Sequence, residues 1–110
     1  MKLVIVESPF AGDTERNIRY ARACLADCLR RGEAPFASHL LYTQPGVLDD
    51  SVPKERALGI EAGDLWGKCA EVTIVYGDLG VTPGMRLGVE RARRDGRPVD
   101  YRLLGKGWDR

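Results

Sequence analysis

The 110-residue sequence has no long apolar run: the longest, Leu3 to Val6, falls far short of the roughly 20 residues that cross a bilayer. Met1-Lys2 leads straight into that run, without the separate apolar segment and cleavage site of a signal peptide. We therefore expect no signal peptide, no membrane partner and a cytoplasmic location. Cysteine is scarce. Cys24, Cys28 and Cys69 are odd in number and form no CxxC pair, so the usual zinc and dithiol patterns are excluded. Cys24 and Cys28 lie one helical turn apart and read as small core residues in a reducing compartment. The single histidine, His39, leaves no set of ligands for a metal, and neither a metal nor a cofactor is expected. GxGxxG and GxxxxGK[ST] are both missing, which excludes a standard dinucleotide site and a P-loop. A basic excess is missing too: 17 Lys and Arg face 16 Asp and Glu, for a net charge of +1. That balance argues against a nucleic-acid partner.

What remains is the composition of a globular domain, 44% apolar and 30% charged, with room for one core. Thirteen of the 17 cations are Arg, whose planar forks suit phosphate and carboxylate oxygens. Lys2 to Glu7 is a continuous β-branched run, as in a strand buried on both faces of a parallel sheet. It ends in the turn Ser8-Pro9-Phe10-Ala11-Gly12. Asp13 or Thr14 then caps a helix with Ile18, Ala21, Leu25, Cys28 and Leu29 as its buried stripe, and Gly32 stops it. Pro35 to Tyr42 reads as a second strand with its Pro at the start. A loop, Thr43 to Val52, carries Asp49-Asp50. Pro53 opens a second helix lined by Leu58, Ala62, Leu65 and Cys69 and weakened by Gly59, Gly63 and Gly67. Trp66 and Tyr76 read as packing residues. Glu71 to Tyr76 is a third strand. Thr82-Pro83 caps a third helix running to Asp95, and Val99 to Leu103 is a last short strand.

This β-α-β-α-β-α-β order implies an α/β class: a small doubly wound, flavodoxin- or Rossmann-like parallel sheet of four strands, order 2-1-3-4, with three helices. The domain spans residues 1–104, and 105–110 form a short, frayed tail. In such sheets ligands bind beyond the carboxyl ends of the strands, where the order reverses. Here that lies between strands 1 and 3, beside the loops Ser8–Asp13 and Gly77–Gly84. Both loops contain Gly and both lead into helix N-termini, which favour anions.

Several motifs occur in order along about nine-tenths of the chain. They are Ser8-Pro9-Phe10-Ala11-Gly12-Asp13 with Asn17, Ser38-His39, Leu48-Asp49-Asp50 and Glu55-Arg56-Ala57-Leu58-Gly59 with Gly63. Gly80-Val81-Thr82-Pro83-Gly84-Met85 and Gly96-Arg97-Pro98-Val99 complete the set. In this set the chain resembles the nucleoside 2-deoxyribosyltransferase-like family, especially a small phage and bacterial branch. The resemblance implies a pocket for a nucleoside or nucleoside monophosphate and a homo-oligomer. It also implies a Glu nucleophile at the start of the third helix that attacks the anomeric carbon. The family places that Glu two or four residues after the Gly of the Gly-Met pair, where this sequence has Arg86 and Gly88.

The loops and the resemblance nominate Ser8, Pro9, Phe10, Gly12, His39, Asp50, Arg56, Gly77, Asp78, Thr82, Gly84, Met85 and Arg86 as nucleotide contacts. Asp78 and Glu90 are the candidate catalytic carboxylates. Asp78 also reads as a turn residue bonded to its own backbone, and Glu90 as pointing away from the position-88 face. His39 reads as a phosphate contact, a proton carrier or a structural residue. Arg86, in place of a carboxylate, would attract an anion. The expected function is a nucleotide-binding protein that has lost the family nucleophile and holds, senses or sequesters a nucleotide. The alternative is an N-glycosidic-bond hydrolase or deoxyribosyltransferase working by a changed mechanism through Asp78 or Glu90. A third possibility is a scaffold with its function on an unmarked surface.

Overall fold

Lys2 to Glu7 carries the β-branched residues that suit a strand covered on both faces. In a computed structural model, which describes residues 1–110, it forms an inner strand. β1 (Lys2–Glu7) pairs in parallel with β2 (Glu33–Phe36) and β3 (Val72–Tyr76), and β4 (Val99–Arg102) pairs in parallel with β3. The order β2-β1-β3-β4 is the expected one. Four helices complete the chain: α1 (Thr14–Arg30), α2 (Ser38–Leu41), α3 (Pro53–Gly67) and α4 (Pro83–Arg94). None of them is long and apolar enough to cross a membrane.

The two-residue period of a strand sorts the side chains onto two faces. Val4, Val6, Val72, Ile74 and Tyr76 pack with Tyr20, Ala21, Cys24 and Cys28 of α1. Val75 packs with Met85 and Val89 of α4 on the other face. Glu7 is in phase with that second face. α1 starts at an Asp13 cap, whose carboxylate accepts from the Arg16 N–H at 3.3 Å, and its chain turns away at Gly32 with φ +77°. Its buried side is Asn17, Tyr20, Ala21, Cys24 and Cys28, so Leu29, expected in the stripe, is exposed. The tail expected to fray is held instead. The Trp108 ring meets the Tyr20 ring edge-on at 4.9 Å between centroids.

Two expectations are corrected on the α3 side. The second strand is shorter than Pro35–Tyr42. It spans Glu33–Phe36, with Pro35 inside it, and as an edge strand it tolerates the missing donor. Residues expected to extend it wind into α2 instead, with the Leu40 and Leu41 N–H groups donating to the Ala37 carbonyl. His39 therefore sits on a short helix and not at a strand end. The second correction concerns α3. Leu58, Leu65 and Trp66 are exposed, and so is Cys69 just beyond the helix. The inner side is the glycine row. A Cβ on Gly59 would meet Leu48 at 3.2 Å, one on Gly63 would meet Ser38 Oγ at 2.6 Å, and one on Gly67 would lie 3.8 Å from Ile5. These glycines, read as weaknesses, are what lets α3 approach α2 and the sheet closely.

Gly63→Ala is expected to overpack the α2–α3 contact and to lower stability by about 1–3 kcal/mol. Urea unfolding checks this: the midpoint should fall with an unchanged slope, and an unchanged midpoint would show the contact is loose.

Candidate functional site

The turn after β1 is rigid because Asn17, one turn into α1, reaches back to it. Its side-chain amide donates to the carbonyls of Phe10 at 2.9 Å and Ala11 at 3.1 Å. Gly12 follows at φ +101°, a conformation that favours glycine. α4 begins at Thr82, whose hydroxyl accepts from the Met85 N–H at 3.2 Å, while the Met85 sulfur accepts from the Thr82 N–H at 3.4 Å. Pro83 takes the first helical position. Thr43 Oγ1 donates to the His39 carbonyl at 2.6 Å and ties α2 to the loop that follows.

Between these elements lies a cavity of about 490 Å³. Its walls are Glu7, Ser8 and Phe10 to Gly12 from the end of β1, with Ser38, His39, Tyr42, Thr43, Leu48 and Asp50 from α2 and its loop. Glu55, Arg56, Gly59 and Ile60 come from α3, and Thr82 to Met85, Leu87 and Arg91 from α4. Of the nominated contacts, Ser8, Phe10, Gly12, His39, Asp50, Arg56, Thr82, Gly84 and Met85 line it. Pro9 is buried and lies outside the lining, and Gly77, Asp78 and Arg86 lie outside it too. Arg86 is exposed, and the α4 cation in the wall is Arg91, one turn beyond Leu87 on the same face.

Neither nominated catalytic carboxylate reaches the cavity. Glu90 is exposed on the far side of α4. Asp78 is a latch: it accepts from the Tyr20 hydroxyl at 2.5 Å and from the N–H groups of Leu104 at 2.9 Å and Gly105 at 3.0 Å. Those bonds hold its carboxyl below the usual range despite the cost of its burial.

The carboxylate that sequence reading missed is Glu7. Its side chain projects toward α4 and occupies the space beside Gly88. A Cβ there would come within 2.6 Å of Oε1 and closer still to Oε2. No group of the protein hydrogen-bonds to it. Burial pushes its pKa up to about 7, and the charges of Arg91 and Arg97 pull back only partly. Arg97 is itself buried, donating to Thr73 Oγ1 at 2.9 Å and to the Gly67 carbonyl at 2.8 Å. The available signal was the pairing of a polar residue in phase with the α4 face and a glycine in the middle of α4.

The other polar groups have partners. Ser8 Oγ and His39 Nε2 share a hydrogen bond of 2.6 Å, and burial lowers the His39 pKa to about 4. At neutral pH this imidazole is an uncharged partner for Ser8, not a cation for phosphate. Asp50 pairs with Arg56 at 3.0 Å, and Glu55 accepts from the Asp49 N–H at 3.0 Å.

A family model described as "Domain of unknown function (DUF7768)" matches residues 2–102. Among solved structures, the chain is similar to a 2-deoxyribosyltransferase from the psychrotolerant bacterium Bacillus psychrosaccharolyticus. The TM-score is 0.65 and the identity 19%, over 94% of this chain and 74% of that one. At that identity the likeness is one of fold. No curated protein matches the chain in sequence.

The raised Glu7 pKa sets a pH dependence of stability. Below pH about 4.5 the carboxyl is protonated in both the folded and the unfolded chain and costs nothing. As pH rises from there toward about 7 the unfolded chain loses the proton first, so stability falls, and above about 7 the loss is complete. Glu7→Gln is therefore expected to stabilise the protein at pH 8 by up to about 3 kcal/mol, and to change little at pH 4. Thermal melts at the two pH values check this; equal effects at both would contradict it. Asp78→Ala, which strands the Tyr20 hydroxyl and two N–H groups, should cost about 2–4 kcal/mol at pH 7 in the same assay.

Proposed function

The chain belongs to the DUF7768 family and carries a nucleoside 2-deoxyribosyltransferase-like fold, and on that footing we propose that it binds a nucleoside or nucleoside monophosphate in the cavity between β1, α2, α3 and α4. The observation that carries this reading is the cavity's combination of size and charge. At about 490 Å³ it falls within the roughly 300–1,000 Å³ of small-molecule sites. Its walls bring Arg56, Arg91 and the N-terminus of α4 together on one cavity. A helix N-terminus and guanidinium groups suit a phosphate, while Asp50 and the Ser8 hydroxyl suit sugar hydroxyls. Phe10, Tyr42, Leu48, Ile60 and Leu87 supply apolar surface for a base.

The structural relative is a biocatalyst for the synthesis of nucleosides, which makes cleavage or transfer at an N-glycosidic bond the second reading. Glu7 favours it, because a carboxyl open to the cavity is available although Asp78 and Glu90 lie elsewhere. The exposed Leu58, Leu65 and Trp66 on α3 support a homo-oligomer, since an apolar row left open to water costs less against a second copy.

Calorimetry with a panel of nucleosides and their monophosphates tests the binding reading. Arg56→Ala should weaken a monophosphate about tenfold or more while leaving the matching nucleoside nearly unchanged, as for the loss of one charge-assisted hydrogen bond. Heat-free titrations across the whole panel would refute it.

A further inference from the structure

Four carboxylates approach the cavity end of the sheet, and three are already engaged. Asp50 is held by Arg56, Glu55 by the Asp49 N–H, and Asp78 by Tyr20 and the tail. Glu7 alone lines the cavity without a hydrogen-bond partner. Its carboxyl packs against α4 and fills the volume that any side chain at position 88 would take. It leaves the end of β1 and packs against the Gly88 turn of α4, within reach of the charge of the buried Arg97. It lines the cavity.

We propose that Glu7 is a catalytic residue, the acid that donates its carboxyl proton to a leaving base when an N-glycoside is cleaved in this cavity. The proposal rests on the reading that the cavity holds a nucleoside or its monophosphate. The Glu7 proton passes to a ring nitrogen or carbonyl oxygen of the base as the bond from the sugar C1 to nitrogen breaks, its electron pair leaving with the base. A water oxygen adds to C1, and the water's proton returns to the Glu7 carboxylate. One water is consumed, the products are the free base and the sugar, or the sugar phosphate from a monophosphate, and the carboxyl is regenerated.

The surroundings suit a proton donor. A half-buried carboxyl that opens onto the cavity and has no protein hydrogen bond keeps its proton into the neutral range, as acid catalysts of glycoside cleavage do. The charged and titratable groups around it are Arg91 from α4, Arg97 from the segment before β4, the uncharged His39 from α2, and the Asp50–Arg56 pair with Glu55 on the α3 side. Only Arg91 and Arg97 oppose protonation, and burial outweighs them.

The test pairs binding with chemistry on the full chain. Nucleosides and their monophosphates are titrated by calorimetry and incubated at pH 5 to 9 with chromatography of the free base, for the wild type and for Glu7→Gln. The expected result is base release that declines above pH about 7 in the wild type. Glu7→Gln should bind within about threefold of the wild type and release base at least about 100-fold more slowly. Gly88→Ala, which evicts the carboxyl without removing it, should also slow release by at least tenfold. Binding without base release in the wild type would overturn this proposal and leave the binding reading standing. A rate in Glu7→Gln within threefold of the wild type, or a rate that does not decline above neutral pH, would overturn it as well. No binding by any member of the panel would sink both.

Discussion

The space beside Gly88 can hold a helix side chain or the Glu7 carboxyl, but not both. The strand period sends residue 7 toward α4, and α4 packs against that face through Val75, Met85 and Val89. A carboxyl can enter this contact only because the helix has no Cβ there. Once inside, it is cut off from water on the protein side and meets no donor, so its charge is expensive. The charge of Arg97 reduces that expense, while its Nε and Nη1 donate to Thr73 and the Gly67 carbonyl. The consequence is a group that changes charge near neutrality at the one place where the sheet opens onto the cavity.

The two faces of the sheet divide the work. On the α1 face the polar side chains are bonded to each other. Tyr76 donates to Asp27 at 2.7 Å, Arg102 grips Glu33 with two bonds of 2.8 and 3.0 Å, and Asp78 ties Tyr20 to the tail. Carboxylates so bonded are held low and charged, which favours the fold at neutral pH and leaves little capacity for proton transfer. On the α3–α4 face the buried cluster is small, Val75, Met85 and Val89, and Glu7 stands without such bonds. Hydrogen-bonded carboxylates and one without such bonds thus lie on opposite faces of the sheet.

How much of this was legible in the sequence depended on period and on contact. The parallel order, the Thr82 cap, the Asp13 cap and the break at Gly32 follow from local chemistry, and each is present. α3 misled because helical spacing identifies a stripe but not the side it faces. Leu58 and Leu65 obey the period and still point to solvent, while Gly59, Gly63 and Gly67 turn inward because neighbouring elements come too close for side chains. Ser38 to Leu41 read as strand on apolar content, yet the close fit of Ser38 against Gly63 belongs to a helix. Glu7 was overlooked for a related reason. Its meaning lies in a partner 81 positions away that is defined by having no side chain, and such a pair has no local signature.

The same pairing changes what the missing helix carboxylate implies. In the resemblance to deoxyribosyltransferases, the substitution of Gly at position 88 and Arg at position 86 looked like the removal of negative charge from the site. In space, Arg86 faces solvent, Arg91 takes the cavity wall, and the space beside Gly88 is filled by the Glu7 carboxyl from the strand. The cavity therefore keeps one carboxyl free of protein hydrogen bonds, Glu7, beside Arg91 and the paired Asp50 and Arg56. Under the proposed binding of a nucleoside monophosphate, the phosphate would add negative charge near Glu7, and like charge raises a carboxyl's hold on its proton. Anion binding and an acid that stays protonated then reinforce one another.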